Sequence, residues 1–284
     1  MRIRRQPSSW RRTAILAALA ATVLIPATAT AQYRAPDANS GAIGEKYHVE
    51  VAGNFWNPTL FGKISSEQFD IIGSDIDVVR DLGYQQTRFR DLRIVLRPSK
   101  KNRFKIQYTP IHYEAATTLT RTITFNGINF NVSAPIQSEF NWKVLRIGYE
   151  YDFFYASRGF IGALIEARYT TFDAKLSTNS PLLKTQQTEF TQAKAPLPAI
   201  GIVGRGYPIK EVAINFEMST FRLPAIDPKY DANYFDWDIN GTVNVTNNVG
   251  LQVGWRKMTT YLRVEKDLGD LAFKGLWFGA AVRF

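Results

Sequence analysis

The chain has no cysteine, which excludes a disulfide framework, thiol chemistry and any cysteine-based metal site. Imidazole is nearly as scarce. His48 and His112 are the whole supply, they lie far apart, and no acid stands at a zinc or copper spacing from both. Neither a metal nor a cofactor is expected. Long apolar runs are missing too. The longest, Thr13 to Ile25, falls short of the roughly 20 residues a membrane-spanning helix needs, and no later run exceeds it. The chain therefore either folds in water or crosses a bilayer with strands.

Acids are also absent from the first 31 positions. What stands there is Arg2, Arg4, Arg5, Arg11 and Arg12, then the apolar run, then Pro26 and the small residues Ala29-Thr30-Ala31. That order is an export leader cleaved before Gln32. Residues 1–31 are read as a cleavable signal peptide and residues 32–44, rich in Ala, Ser, Pro, Asp and Asn without periodicity, as a lead-in. Residues 45–284 form one β domain. The formal net charge of +10 owes much to the leader, because the mature chain keeps 30 basic against 25 acidic residues. So small an excess argues against nucleic acid and suits an anionic lipid surface.

Period-two alternation dominates what remains. Phe235, Trp237, Ile239, Val243 and Val245 alternate with Asp236, Asp238, Asn240, Thr242 and Asn244. Val212, Ile214, Phe216 and Met218 oppose Ala213, Asn215, Glu217 and Ser219, and Ile161, Ala163, Ile165, Ala167 and Tyr169 oppose Glu166, Arg168 and Thr170. Such segments are half-buried strands. They run longer than the five or six residues usual in soluble sheets and reach the ~9 to 11 that a tilted membrane strand needs. Aromatics at Phe55-Trp56, Tyr149 to Tyr155 and Tyr234 to Trp237 are read as interfacial girdles.

The reading gives an all-β, antiparallel transmembrane β-barrel of about ten strands, with eight or twelve as alternatives. The strands are placed at Glu45 to Trp56, Thr87 to Arg97, Arg103 to Thr118, Glu139 to Phe153, Phe160 to Leu176, Ala199 to Tyr207, Glu211 to Phe221, Tyr234 to Val245, Gly250 to Val264 and Ala272 to Phe284. Connections alternate between short ones, such as Tyr155 to Gly159, and long ones, such as Thr120 to Ala134. Short turns mark the periplasmic side of an outer-membrane barrel. Asn57 to Gln86 is read as one long outer excursion, since a strand there would leave the count odd.

The polar strand faces should point into the lumen. They carry Asp91, Arg93, Arg97, Arg146, Glu150, Asp152, Glu166, Arg168, Arg205, Glu217, Asp236, Asp238 and Arg256. Both signs are present in similar numbers, and buried ions must pair to avoid a cost of several kcal/mol each. A largely closed, salt-bridged lumen is expected rather than an open channel.

The chain finishes with apolar side chains at Leu276, Phe278, Ala280 and Val282 and a terminal Phe284. This looks like the insertion signal that the barrel-assembly machinery recognises in outer-membrane proteins. Ile76-Asp77-Val78-Val79-Arg80-Asp81-Leu82-Gly83, Arg121-Thr122-Ile123-Thr124-Phe125-Asn126-Gly127 and Ala195-Pro196-Leu197-Pro198 extend the likeness. On these stretches the chain resembles small bacterial outer-membrane β-barrel proteins, broadly of the OmpA and OmpW type. The resemblance implies a monomer in the Gram-negative cell envelope, in contact with outer-membrane lipid and lipopolysaccharide. No catalytic residue comes with it, and no enzyme is expected. His112 follows Pro110, so its face cannot be read, and Ser138 is its one candidate serine neighbour. A narrow porin-like pore or a hydrophobic-ligand transporter remains the alternative to a structural or surface-interacting barrel, with a lipid A-modifying enzyme behind both.

Overall fold

The computed structural model describes residues 42–67, 71–178, 186–191, 196–227, 230–264 and 267–284. The expected leader at 1–31 and most of the lead-in at 32–44 lie outside the described residues. In chain order the strands are β1 (Val49–Ser65), β2 (Ile76–Asp77), β3 (Phe89–Leu96), β4 (Asn102–Thr118), β5 (Ile123–Phe125), β6 (Ile128–Phe130) and β7 (Pro135–Ala156). They continue with β8 (Gly159–Thr178), β9 (Gln186–Thr191), β10 (Pro196–Ile209), β11 (Val212–Asp227), β12 (Tyr230–Asn244), β13 (Val249–Val264) and β14 (Asp267–Arg283). Ten of them close an antiparallel barrel in the order β1-β3-β4-β7-β8-β10-β11-β12-β13-β14, with β14 returning to β1. β2 and β9 pair onto β1 and β8 above the closed ring, and β5 with β6 forms a separate hairpin.

Most strands of the ring are longer than a bilayer requires, with 22 residues in β7 and 20 in β8, although β3 has only 8. The long ones, such as β7 and β14, have two halves of opposite character. Along β7 the inward residues run Asp152, Glu150, Gly148 and Arg146, then Val144, Trp142, Phe140 and Ile136. The outward ones run Phe153, Tyr151, Tyr149, Ile147 and Leu145, then Lys143, Asn141, Glu139 and Gln137. β14 switches in the same way: Arg283 inside gives way to Trp277, Phe273 and Leu271, while Leu276 outside gives way to Lys274 and Asp270. Near the short turns the barrel is polar within and apolar without; toward the long loops it is the reverse. The outer apolar band is bare, with Ile165 64 % exposed and Ile200 66 %. A continuous girdle of this kind far exceeds the few hundred Å² that soluble monomers tolerate, and it matches the wall of a lipid-embedded barrel.

Inside the loop-side half, Phe273 of β14 meets Trp56 of β1 at 6.2 Å, Tyr113 of β4 at 6.5 Å and Trp142 of β7 at 5.3 Å between ring centroids. Aromatics from opposite walls therefore touch on the axis. The connection after β1 folds over them, burying Ile76, Val78, Leu82 and Tyr84, and the β5–β6 hairpin adds Ile123, Phe125 and Phe130. That hairpin turns at Asn126 (φ 49°) and Gly127 (φ 75°), the left-handed pair that an Asn-Gly sequence supplies at least cost. Asp81 ties the two loops together: it accepts from Asp77 N at 2.9 Å, Arg80 Nε at 3.2 Å and Arg121 Nη2 at 2.6 Å. Burial pushes its carboxyl up, but the hydrogen bonds from Arg121, Arg80 and the Asp77 backbone outweigh this and hold it at about 2.

Three expectations need correction. Residues 57–65 are not loop but the continuation of β1, because Leu60 and Ile64 find the apolar core inside. Trp56 is no girdle residue, since it points into the barrel and is 1 % exposed. The polar face is luminal only in the turn-side half; in the other half it faces outward, because there water surrounds the barrel and the apolar residues must pack against one another.

Candidate functional site

The turn-side lumen holds the densest array of chemistry-bearing groups. Its acids are Glu45, Glu50, Asp91, Glu150, Asp152, Glu166, Glu217, Asp236 and Asp238, and its bases Arg93, Arg97, Arg103, Lys105, Arg146, Arg168, Arg205, Arg256 and Arg283, nine of each. Strand alternation places them: each lies at the inward parity of its strand, and Glu45 enters from the segment just before β1. All twelve luminal residues anticipated from sequence for the charge network, Asp91, Arg93, Arg97, Arg146, Glu150, Glu166, Arg168, Arg205, Glu217, Asp236, Asp238 and Arg256, point inward. Sequence reading passed over Glu45, Glu50, Arg103, Lys105 and Arg283. Arg103 and Lys105 alternate with the outward Phe104 and Ile106 on β4, and Arg283 follows the outward Val282 on β14, so alternation marks all three as inward.

These groups form a chain of ion pairs across the lumen. Glu217 of β11 reaches Lys105 of β4 at 2.8 Å and Arg146 of β7 at 2.6 Å, from the opposite wall. Lys105 binds Glu150 at 2.5 Å, and Glu150 binds Arg103 at 2.6 Å. Arg146 also meets Glu166 at 2.8 Å and Asp236 at 3.5 Å. Asp236 continues to Arg256 at 2.8 Å, which approaches Asp91 at 3.7 Å. Toward the turns, Glu45 is held by Arg97 at 2.9 Å and Arg205 at 2.7 Å, and Arg283 of β14 clasps Glu50 of β1 at 2.6 Å.

The space left is a cavity of about 80 Å³ lined by Asn54, Arg93, Arg103, Glu150, Glu217 and their neighbours. At roughly 10–15 Å³ per water position it has room for about half a dozen waters. A second cavity of about 40 Å³ lies in the apolar half beside Trp142, Phe172 and Leu271.

His112 does not build a nucleophilic site with Ser138. His112 faces outward on β4, whereas Ser138 faces inward on β7 and donates to Ala115 O at 3.4 Å. The pairing anticipated between them is therefore ruled out by parity. His112 instead lies among Glu114, Glu139 and Asn141: Nδ1 is 2.6 Å from Asn141 Oδ1 and Nε2 is 3.1 Å from Glu114 Oε1. The ligand atoms of His112, Glu114 and Glu139 lie within 4.8 Å of one another, and among the described residues they are the set that could hold a metal ion. Sequence spacing could not reveal this group, because Glu114 and Glu139 meet only through the β4–β7 register. At the other end of the strands Leu276, Phe278, Ala280, Val282 and Phe284 all face outward.

No protein-family model matches the sequence, and no curated protein matches it. Among solved structures the chain is similar to the outer membrane protease OmpT from Escherichia coli, at 10 % identity over 83 % of this chain and 97 % of that one, with a TM-score of 0.51. The toluene transporter TodX of P. putida follows at 9 % identity, 84 % and 90 % coverage and a TM-score of 0.37. Neisserial surface protein A has 14 % identity, 84 % and 97 % coverage and a TM-score of 0.31. The likeness to OmpT is one of fold: a closed ten-strand barrel of the outer-membrane kind.

Proposed function

We propose that the protein is a bacterial outer-membrane barrel with a closed lumen, which serves as a structural or surface-interacting scaffold and neither conducts solutes nor catalyses a reaction. The observation that carries this reading is the double filling of the interior. The turn-side half is occupied by a charge-balanced network of ion pairs, and the loop-side half by a packed aromatic core capped by its own loops. Ions crossing such a barrel would have to break several buried pairs, at a cost of several kcal/mol for each charge stranded, and then traverse an apolar plug. The bare apolar band supports a bilayer location with the short turns periplasmic, and the protruding half carries the loops to the cell exterior. Outer-membrane lipid and lipopolysaccharide are then its immediate surroundings, the outward C-terminal strand is the feature offered to the barrel-assembly machinery, and a monomer suffices because closure leaves no free edge in the ring. Planar-bilayer recording of the refolded protein tests the reading: the expected result is no discrete conductance steps, and steady openings of uniform size would reject it.

A further inference from the structure

We propose that the outer wall carries a phosphate-binding patch of Lys257, Lys274, Arg88 and Arg90, which holds the headgroup of a phosphorylated lipid of the outer leaflet. The inference rests on the membrane location proposed above. Just above the apolar band, the first outward polar positions on β13, β14, β1 and β3 are Lys257, Lys274, Asn57 and Arg90, with no acid among them. Lys257 and Lys274 are direct cross-strand partners. Like charges placed opposite one another destabilise a sheet, so the pair calls for a counter-ion. On the far side of β1, Arg90 pairs with Phe55 in the ladder, and Arg88 donates from Nε to Asn57 Oδ1 at 2.9 Å, its guanidinium 5.6 Å from the Phe278 ring. Cations thus flank an apolar strip headed by Leu276 and Phe278, the surface against which acyl chains would lie.

Among the described residues the patch lacks carboxylate partners, as do exposed cations elsewhere such as Lys143, whereas other cations of the molecule are matched. Every basic residue of the lumen has an acid or a hydrogen-bond acceptor, and Lys63 and Arg121 on the water-facing half have Asp75 at 3.9 Å and Asp81 at 2.6 Å. Among the described residues no carboxylate lies within 4.0 Å of a side-chain nitrogen of Lys257, Lys274, Arg88 or Arg90. Lys274 Nζ instead sits 4.4 Å from the Phe61 ring. Four uncompensated cations at the level of lipid headgroups are complementary to phosphate, and each basic residue beside an anionic surface strengthens binding roughly fivefold.

The test uses the full mature chain, refolded and purified in detergent, with bisphosphorylated lipid A and its dephosphorylated form as probes in native mass spectrometry. The expected result is retention of the phosphorylated probe, little retention of the dephosphorylated one, and about 25-fold weaker retention by Lys257→Gln/Lys274→Gln, two fivefold losses combined. Arg88→Gln/Arg90→Gln should weaken it comparably. Equal retention of both probes by the unmodified chain would overturn the proposal without recourse to any variant. So would unchanged retention by variants that still shift mobility on heating, or displacement of lipid by inorganic phosphate alone at equal charge. Flotation of the unmodified chain with phosphatidylcholine vesicles separates the two readings: failure to float defeats the membrane location, whereas flotation with unselective lipid retention defeats only the patch.

Discussion

Arg146 stands where three carboxylates converge, Glu166 at 2.8 Å, Glu217 at 2.6 Å and Asp236 at 3.5 Å. Methionine there would keep the volume and strand the acids, so Arg146→Met is expected to cost about 3–5 kcal/mol. Arg146→Lys keeps the charge, loses the planar fork and should fall between. Urea midpoints in detergent would show this order, and equal midpoints for all three proteins would mean that the network does not support the barrel. Asp81 allows a pH test outside the bilayer. Its folded carboxyl lies at about 2 against an ordinary 3.8. A depressed acid stabilises the folded form above its ordinary range, so the loop contact is whole at neutral pH and is lost as pH falls from about 4 through 2, with on the order of 1 kcal/mol released because Arg121 is half-exposed. Amide exchange over Asp77 to Gly83, corrected for intrinsic rate, should quicken between pH 5 and pH 2. Asp81→Asn should exchange quickly at both, and a pH-independent segment would refute the assignment.

At the level of the strand, the inversion of faces makes a sharp prediction. Ile165 and Thr171 both lie on the outer face of β8, one in the apolar band and one beyond it. Arginine at Ile165 should cost roughly 2–4 kcal/mol in a bilayer, and arginine at Thr171 almost nothing. Folding yields into phosphatidylcholine vesicles, measured by heat-dependent gel mobility, would separate them; equal yields would dismiss the band as the lipid contact. The ten strands are readable in the sequence because apolar residues recur at every second position over Ile161 to Tyr169 and Phe235 to Ile239. The inversion was present too, in adjacent apolar residues such as Val144-Leu145, where the hydrophobic parity changes. Reading one polar face as luminal from end to end hides it. The same assumption ends the first strand at Trp56, although Leu60 and Ile64 continue the inner parity with the opposite chemistry.

For the molecule as a whole, sequence carried the fold further than the site. Closure and strand number followed from local pattern, whereas the contacts of Glu217 with Lys105 and Arg146 depend on which strands face each other across the lumen. Register likewise sets His112 beside Glu139 and Lys257 beside Lys274, and no local feature of the chain encodes it. The seam that completes the ring has a consequence in time. It joins β1 to β14, and Trp56 donates from its indole to Gly275 O, 219 positions along the chain. At a synthesis rate of about 5–20 residues per second, the first strand waits on the order of 10 to 40 s for its last neighbour to exist. Throughout that interval its amide groups must be kept in water or in the grip of another protein, so the cylinder cannot be sealed as it is made and must be assembled after the whole chain has been released.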